Sequence, residues 1–296
     1  MVAFYLGLAG SLLQIRTPAS LDPSQVRKGG THDLLAGGSV RDTIGYRRKF
    51  TVGWEYATTD ELSVLELLYQ IAGPLVFVDP SRRNLLEANQ SSGTATLKTT
   101  DGFVATTGTL TSDATANPAI AAARSLKWNN SGALGSTGNG PFTGTSTSTA
   151  NLTDDVPVVA GLPYSFSVTA QRSAANAISV GARIAWYDTT GALISGTTGT
   201  GVALASGSWS VVKLENQTAP AGAAFAKVAV HNTATTSGAT AVFMAGWQLE
   251  QATAASAWVL GTGVPKVTFD DLVPSLQMAW DAVNTRWHAT GILIEV

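Results

Sequence analysis

Aromatic side chains flanked by amides and carboxylates are the residues of this sequence best suited to chemistry, and that chemistry is saccharide recognition. A sugar is held when its C–H groups stack on an exposed ring while amides and carboxylates bond its hydroxyls. The rings are Trp128, Phe142, Trp186, Tyr187, Trp209 and His231, with Asn129, Asn130, Asp188 and Asn232 as polar neighbours. Each ring has a competing use in core packing, which strand alternation favours for Trp186 and Trp209. Trp128 beside Asn129, and Tyr187 beside Asp188, are the stronger pairs. The expected carbohydrate-binding set is therefore Trp128, Asn129, Tyr187, Asp188, His231 and Asn232. A spacer or protein-docking role stays open at this point.

Catalysis needs a constellation that the sequence does not offer. His32, His231 and His288 lie far apart without metal-ligand spacing. Asp154-Asp155, Glu215 and Glu250 are the acids from which a glycosidase pair would be drawn, but in a β-module such acids more often serve turns. Gly196–Gly201 lacks the Lys of a phosphate loop and a following helix. No enzyme activity, cofactor or metal is expected.

Composition narrows the class further. The chain has 296 residues, 13% of them charged, against a usual quarter or so. Eighteen basic and twenty acidic side chains give a net charge of −2, so there is no electrostatic footprint for nucleic acid. Cysteine is absent, which excludes disulfides and thiolate metal sites. The first residues have no basic region ahead of the apolar run, which Gly7 and Gly10 break, so a leader peptide is not expected. No run approaches the ~20 apolar residues that span a bilayer, so membrane insertion is not expected either. These features read as a soluble chain made in a cytoplasm.

The elements that must position these residues begin with a strand–helix–strand. Phe50, Val52, Trp54 and Tyr56 alternate as a half-buried strand. Thr58 and Glu61 form a capping box for a helix, and Gly73, as the left-handed residue, and Pro74 stop it. Leu62, Leu65, Leu68, Tyr69 and Ala72 make its core stripe. Val64, Leu67 and Ile71 widen the apolar arc and are the expected subunit interface. Leu75–Val78 is the second strand. Upstream, Ala3–Leu6 and Ser11–Arg16 read as strands, Pro18–Ser24 as a loop and Thr31–Leu35 as a weak strand.

Beyond Asn89 the chain turns rich in Ser, Thr, Gly and Ala, yet Phe103, Leu126, Trp128 and Phe142 recur as buried anchors would. From Pro157 onward alternating strands follow one another without helices, which indicates a sandwich or jelly roll. The last stretch ends in a strand, with Ile292, Ile294 and Val296 on one face, and is too short to bury a core alone. The expected fold is thus mainly β. Residues 1–88 and 264–296 form a discontinuous β-rich domain with one helix, and 89–263 an inserted jelly-roll β-sandwich.

Arg47–Trp54, Leu65–Tyr69, Gly73-Pro74, Asp79-Pro80 and Arg83–Leu86 resemble the N-terminal domain of minor tail, or distal-tail-like, proteins of long-tailed bacteriophages, particularly those of actinobacteria. The middle, from Val158–Ser167 through Trp209 and Ala219-Pro220 to Trp247–Glu250, is similar to carbohydrate-binding modules of the galactose-binding jelly-roll kind. The resemblance implies a structural tail or baseplate protein, assembled in the host cytoplasm. Its implied partners are other tail proteins, further copies in a homo-oligomeric ring, and a glycan of the host envelope. A secreted carbohydrate-binding accessory protein is the alternative.

Overall fold

The computed structural model describes residues 3–28, 31–33, 39–41, 45–117, 120, 122–173, 176–278 and 285–296. The chain runs through β1 (Phe4–Leu8), β2 (Ser11–Ile15), β3 (Ser20–Lys28), β4 (Thr31–Asp33), β5 (Ser39–Arg41), β6 (Gly45–Ala57), α1 (Thr59–Tyr69) and β7 (Leu75–Val78). A short helix α2 (Ala88–Ser92) precedes β8 (Phe103–Ala105), β9 (Thr109–Asp113), β10 (Ser125–Asn130), β11 (Pro141–Thr143), β12 (Val156–Pro157) and β13 (Pro163–Arg172). Then come β14 (Ser179–Tyr187), β15 (Leu193–Thr198), β16 (Val202–Ala203), β17 (Ser210–Thr218), β18 (Phe225–Asn232) and β19 (Thr240–Glu250). β20 (Lys266–Met278) and β21 (Arg286–Glu295) follow. The fold is mainly β, in two compact units. One comprises Met1–Leu8, Leu12–Asp79 and Pro265–Val296, the other Ala9–Ser11 and Pro80–Val264.

In the first unit, seven strands form one sheet in the order β2-β1-β7-β20-β21-β6-β3. Phe50, Val52 and Trp54 of β6 point into the core with Leu6, Phe77, Val267 and Leu293, and α1 adds Leu62, Leu65 and Leu68. Burying those three leucines stabilises the helix on its sheet by roughly 1.5–3 kcal/mol each. The capping box forms: Thr58 Oγ1 accepts from Glu61 N at 3.2 Å, and Glu61 Oε2 accepts from Thr58 N at 2.8 Å. The helix ends differently from the expectation. Its cap is Gln70 in right-handed geometry, and Gly73 is not among the residues with positive φ. Pro74 alone bars continuation.

Three other expectations fail in this unit, each for a physical reason. Tyr56 does not continue the buried face. It sits at φ 56° and is 51% exposed, while Ala57 is buried. The pairing with β21 slips here, with Trp287 opposite Ala57 but Ala289 opposite Trp54. An extra residue on β6 makes a bulge, and the faces exchange beyond it. The expected loop at Pro18–Ser24 is largely edge strand β3, paired with β6 from Ser20 to Lys28. An edge tolerates Pro23 because a proline there forfeits no necessary ladder bond. The buried arc of α1 is centred on Leu65 and Leu68 and extends toward Val64 and Ile71 rather than Tyr69 and Ala72. Val64 and Ile71 pack partly on the unit's own core, so of the three expected interface residues only Leu67, 58% exposed, stands free. The expected strand at Thr31–Leu35 is seen as β4, and its last two residues lie outside the described ones.

The second unit is a jelly-roll sandwich. One sheet runs β17-β13-β19-β10-β9; the other runs β15-β14-β18-β11-β8, with β12 also on β18 and β16 on β14. Its aromatic core includes Tyr164 against Trp186 (centroids 5.5 Å apart) and Phe166 against Trp247 (5.6 Å). Phe103, Leu126, Trp128 and Phe142 are all buried, so the Ser/Thr/Gly-rich stretch is folded around its anchors.

Candidate functional site

Alternation along β14 sends Val180, Ala182, Ile184 and Trp186 to one face and Gly181, Arg183, Ala185 and Tyr187 to the other. Register with β18 sets Gly181 opposite His231, Arg183 opposite Ala229, Ala185 opposite Lys227 and Tyr187 opposite Phe225. β11 adds Phe142 opposite Ala229. One sheet face therefore carries Phe142, Arg183 and His231 in a field of glycine and alanine. The rings of Phe142 and His231 meet edge to face at 4.9 Å, and Arg183 Cζ stands 5.9 Å from the Phe142 centroid. The guanidinium lies over Gly196 of β15, where an added Cβ would come within 2.7 Å of Nη2.

Three nitrogens at this end of the face are unsatisfied. Arg183 Nε is buried with no hydrogen-bond partner, and so are both ring nitrogens of His231, which is 2% exposed. Burial, and then the charge of Arg183, push the His231 pKa down to about 4, so the ring is neutral near pH 7. Arg183 forms no ion pair among the described residues.

At the other end of the same face, residues 144–155 close over a different arrangement. Lys227 and Asp155 are both fully buried side chains, 3.4 Å apart. Lys227 Nζ also donates to Ser146 O at 2.5 Å and stands 5.6 Å from the Tyr187 ring centroid. Asp155 Oδ2 accepts from Asn151 N at 2.8 Å. Burial dominates both titrations. It lifts the Asp155 pKa to about 6 despite Lys227, and it lowers that of Lys227. Gly144 permits the arrangement: at φ 93° it is left-handed, and a Cβ there would stand 2.4 Å from Asp155 Oδ1.

The six residues expected to bind sugar do not converge. Trp128 is fully buried, its indole N–H donating to Thr107 O at 2.7 Å, so it presents no stacking face. Asn129, one residue on, is exposed on the other sheet. Tyr187 is 1% exposed beneath Lys227. Asp188 builds its own turn, accepting from Thr190 Oγ1 (2.7 Å), Thr190 N (2.8 Å) and Ala192 N (3.0 Å), and these bonds, that of the Thr190 hydroxyl foremost, lower its pKa. Asn232 is buried and donates to Ser136 O and Ala234 O. Of the six, His231 and Tyr187 lie on the sheet face that carries Arg183 and Phe142, and both are buried. Sequence reading missed Arg183; its one signal was a lone charge inside the otherwise small and apolar strand Ser179–Tyr187.

Lys127, near an aromatic ring, and Arg16, at the edge of a cleft, have their charges answered. Lys127 lies 5.3 Å from the Phe243 centroid and pairs with Asp113 at 3.6 Å. In the first unit a cleft of about 170 Å³, lined by Ile15, Trp54, Val64 and Leu65, has Arg16 at its edge, paired with Glu61 at 3.2 Å. The acids weighed for glycosidase work are likewise engaged. Glu215 pairs with Lys213 at 2.9 Å, and Glu250 accepts from Gln248 and Ser256.

No protein-family model and no curated protein matches the chain. Among solved structures it is similar to a xylan-binding domain of Xyn10C from Paenibacillus barcinonensis, with 17% identity over 60% of this chain and 100% of that one and a TM-score of 0.41. It is also similar to the CBM22-1–GH10 modules of a Clostridium thermocellum xylanase, with 14% identity, 51% of this chain covered and a TM-score of 0.37. A third likeness is to the enzymatically active domain of tailspike protein 4 of bacteriophage CBA120, with 13% identity, 58% of this chain covered and a TM-score of 0.40. The similarity spans 26% of the xylanase chain and 22% of the tailspike chain.

Proposed function

We propose that this chain is a non-enzymatic structural component of a phage tail, assembled in the host cytoplasm, whose sandwich unit binds a host-surface saccharide through the Phe142–Arg183–His231 face. The observation that carries the binding reading is the guanidinium of Arg183, half-buried and without an acidic partner among the described residues, beside the buried Phe142 ring and a buried imidazole whose nitrogens are unmet. Buried polar groups are normally satisfied, and a cluster that is not satisfied calls for an occupant. Single-site affinity for a small saccharide is weak, and several copies on one particle would raise it by avidity. The full chain displayed multivalently on a glycan array should therefore give signal. Gly196→Val should reduce that signal to background with the circular dichroism spectrum unchanged, because its side chain occupies the place of the guanidinium. An array blank for the unaltered chain would sink the binding reading.

The tail role rests on the resemblance of β6 and α1 to tail proteins and on the exposed Leu67. Burying its remaining surface in a subunit contact would contribute roughly 1–2 kcal/mol per copy. Leu67→Glu should leave a folded monomer and prevent ring formation, read by sizing and negative-stain imaging. A native chain that stays monomeric beside purified tail partners would instead favour the free carbohydrate-binding accessory protein.

A further inference from the structure

We infer that the saccharide taken by this face is acidic, bearing a carboxylate or sulfate that meets Arg183. The inference rests on the saccharide reading above and deepens it.

The groups along the face can be counted. Lys227 and Asp155 neutralise one another at 3.4 Å under residues 144–155. Tyr187 is an uncharged phenol, its pKa raised by burial, and His231 is a neutral imidazole near pH 7. Arg183 is left as one positive charge with no acidic partner among the described residues. A partly desolvated guanidinium is costly without an anion, and its planar fork fits the two oxygens of a carboxylate, or of a sulfate, in parallel. A neutral sugar would accept one or two of its hydrogen bonds and leave the charge standing.

The floor supports the same conclusion. Gly196 lets the guanidinium lie against the sheet instead of rising from it. Ala185 and Ala229 are fully buried, and Phe142 flanks the other side. The guanidinium is thus packed between Gly196 and the Phe142 ring, which restricts its motion and lowers the ordering cost of binding. His231, edge-on to Phe142, is buried with both ring nitrogens, so the half-exposed guanidinium is the group of this face that an anion meets.

The test is titration calorimetry of the full chain against matched oligosaccharides. The acidic set is oligogalacturonate, oligoglucuronate, sialyllactose and a sulfated galactan oligomer. The neutral set holds the same sugars with carboxyls reduced to alcohols or sulfates removed. At least one acidic member should bind about tenfold or more tighter than its neutral counterpart, the gain expected of a charge-assisted bidentate contact. The uronate and sulfate arms identify which anion is preferred. The preference should shrink as salt rises. Arg183→Gln should abolish it, and Arg183→Lys, which keeps charge but not the fork, should retain part of it and serve as the folded control. Equal binding of acidic and neutral members, or a preference that survives Arg183→Gln, would overturn the inference and leave saccharide binding intact. Binding to neither set would overturn both.

Discussion

Deletion of Thr290–Val296 is expected to unfold the first unit while the sandwich stays folded. β21 stands between β20 and β6 in the seven-stranded sheet, so its loss divides the sheet at the centre rather than trimming an edge. The deletion removes Leu293, fully buried, and the pairing of Ile292 with Thr51 and of Leu293 with Phe50. It also removes Glu295, whose carboxylate holds the Arg48 guanidinium through two oxygens. Loss of one fully buried leucine typically costs about 2–5 kcal/mol, and a domain has only about 5–15 kcal/mol to lose. Limited proteolysis with circular dichroism checks the outcome. A protease-resistant fragment from the first 79 residues of the truncated chain would show that the N-terminal strands and helix need no C-terminal strand.

The second large effect is expected at the buried ion pair. Lys227→Met should destabilise the sandwich by about 3–5 kcal/mol near neutral pH, because it strands the Asp155 carboxylate in the interior. The pH dependence follows from the direction of the Asp155 shift. Its folded pKa lies above the ordinary carboxyl value of 3.8, at about 6, so the folded state holds its proton more tightly than the unfolded state. The contribution of this group to stability is therefore present at low pH and is lost as pH rises through that window. Without Lys227 the folded pKa climbs further, so the deficit of the variant should be largest above pH 6 or so and shrink toward pH 4. Urea midpoints at pH 4 and 7.5 read this directly. A deficit equal at both would mean that lost packing, not the stranded charge, is responsible. Lys227→Met combined with Asp155→Leu should recover much of the loss, since an apolar pair needs no compensation.

Local chemistry was legible in the sequence wherever it depends on neighbours along the chain. The Thr58–Glu61 box, the Leu62, Leu65 and Leu68 stripe, the strand at Leu75–Val78 and the core role of Trp186 all follow from spacing, and the structure has them. The mainly β, jelly-roll character followed from alternation and turn residues in the same way. What spacing does not carry is parity and register. Trp128 and Asn129 are adjacent on β10, and alternation fixes that they face opposite ways without fixing which way is in. The bulge at Tyr56 exchanges the faces of β6 through one left-handed residue of a type that rarely adopts that conformation. β3 is polar and contains Pro23, so it reads as a loop until β6 is seen beside it. Arg183 reads as an ordinary strand residue until the pairing of β14 with β18, and of β18 with β11, brings His231 and Phe142 to it.

The sheet of the first unit has a flank with a bearing on solubility. β7 pairs with β20 only at Lys266 and Val267, and beyond them β20 is laddered to β21 alone among the described residues. The distal half of β20 carries exposed Val273, Leu276 and Met278, a combination that invites strand-to-strand association between chains. Pro274 lies in the middle of that run, paired with Ala289 on the β21 side. Having no N–H, it leaves a gap in the row of donors an incoming strand would need, and the slip in pairing between Phe269 and Asp271 twists the strand just before it. The chain can therefore expose an apolar ribbon while denying it the continuous edge on which a cross-β aggregate would grow.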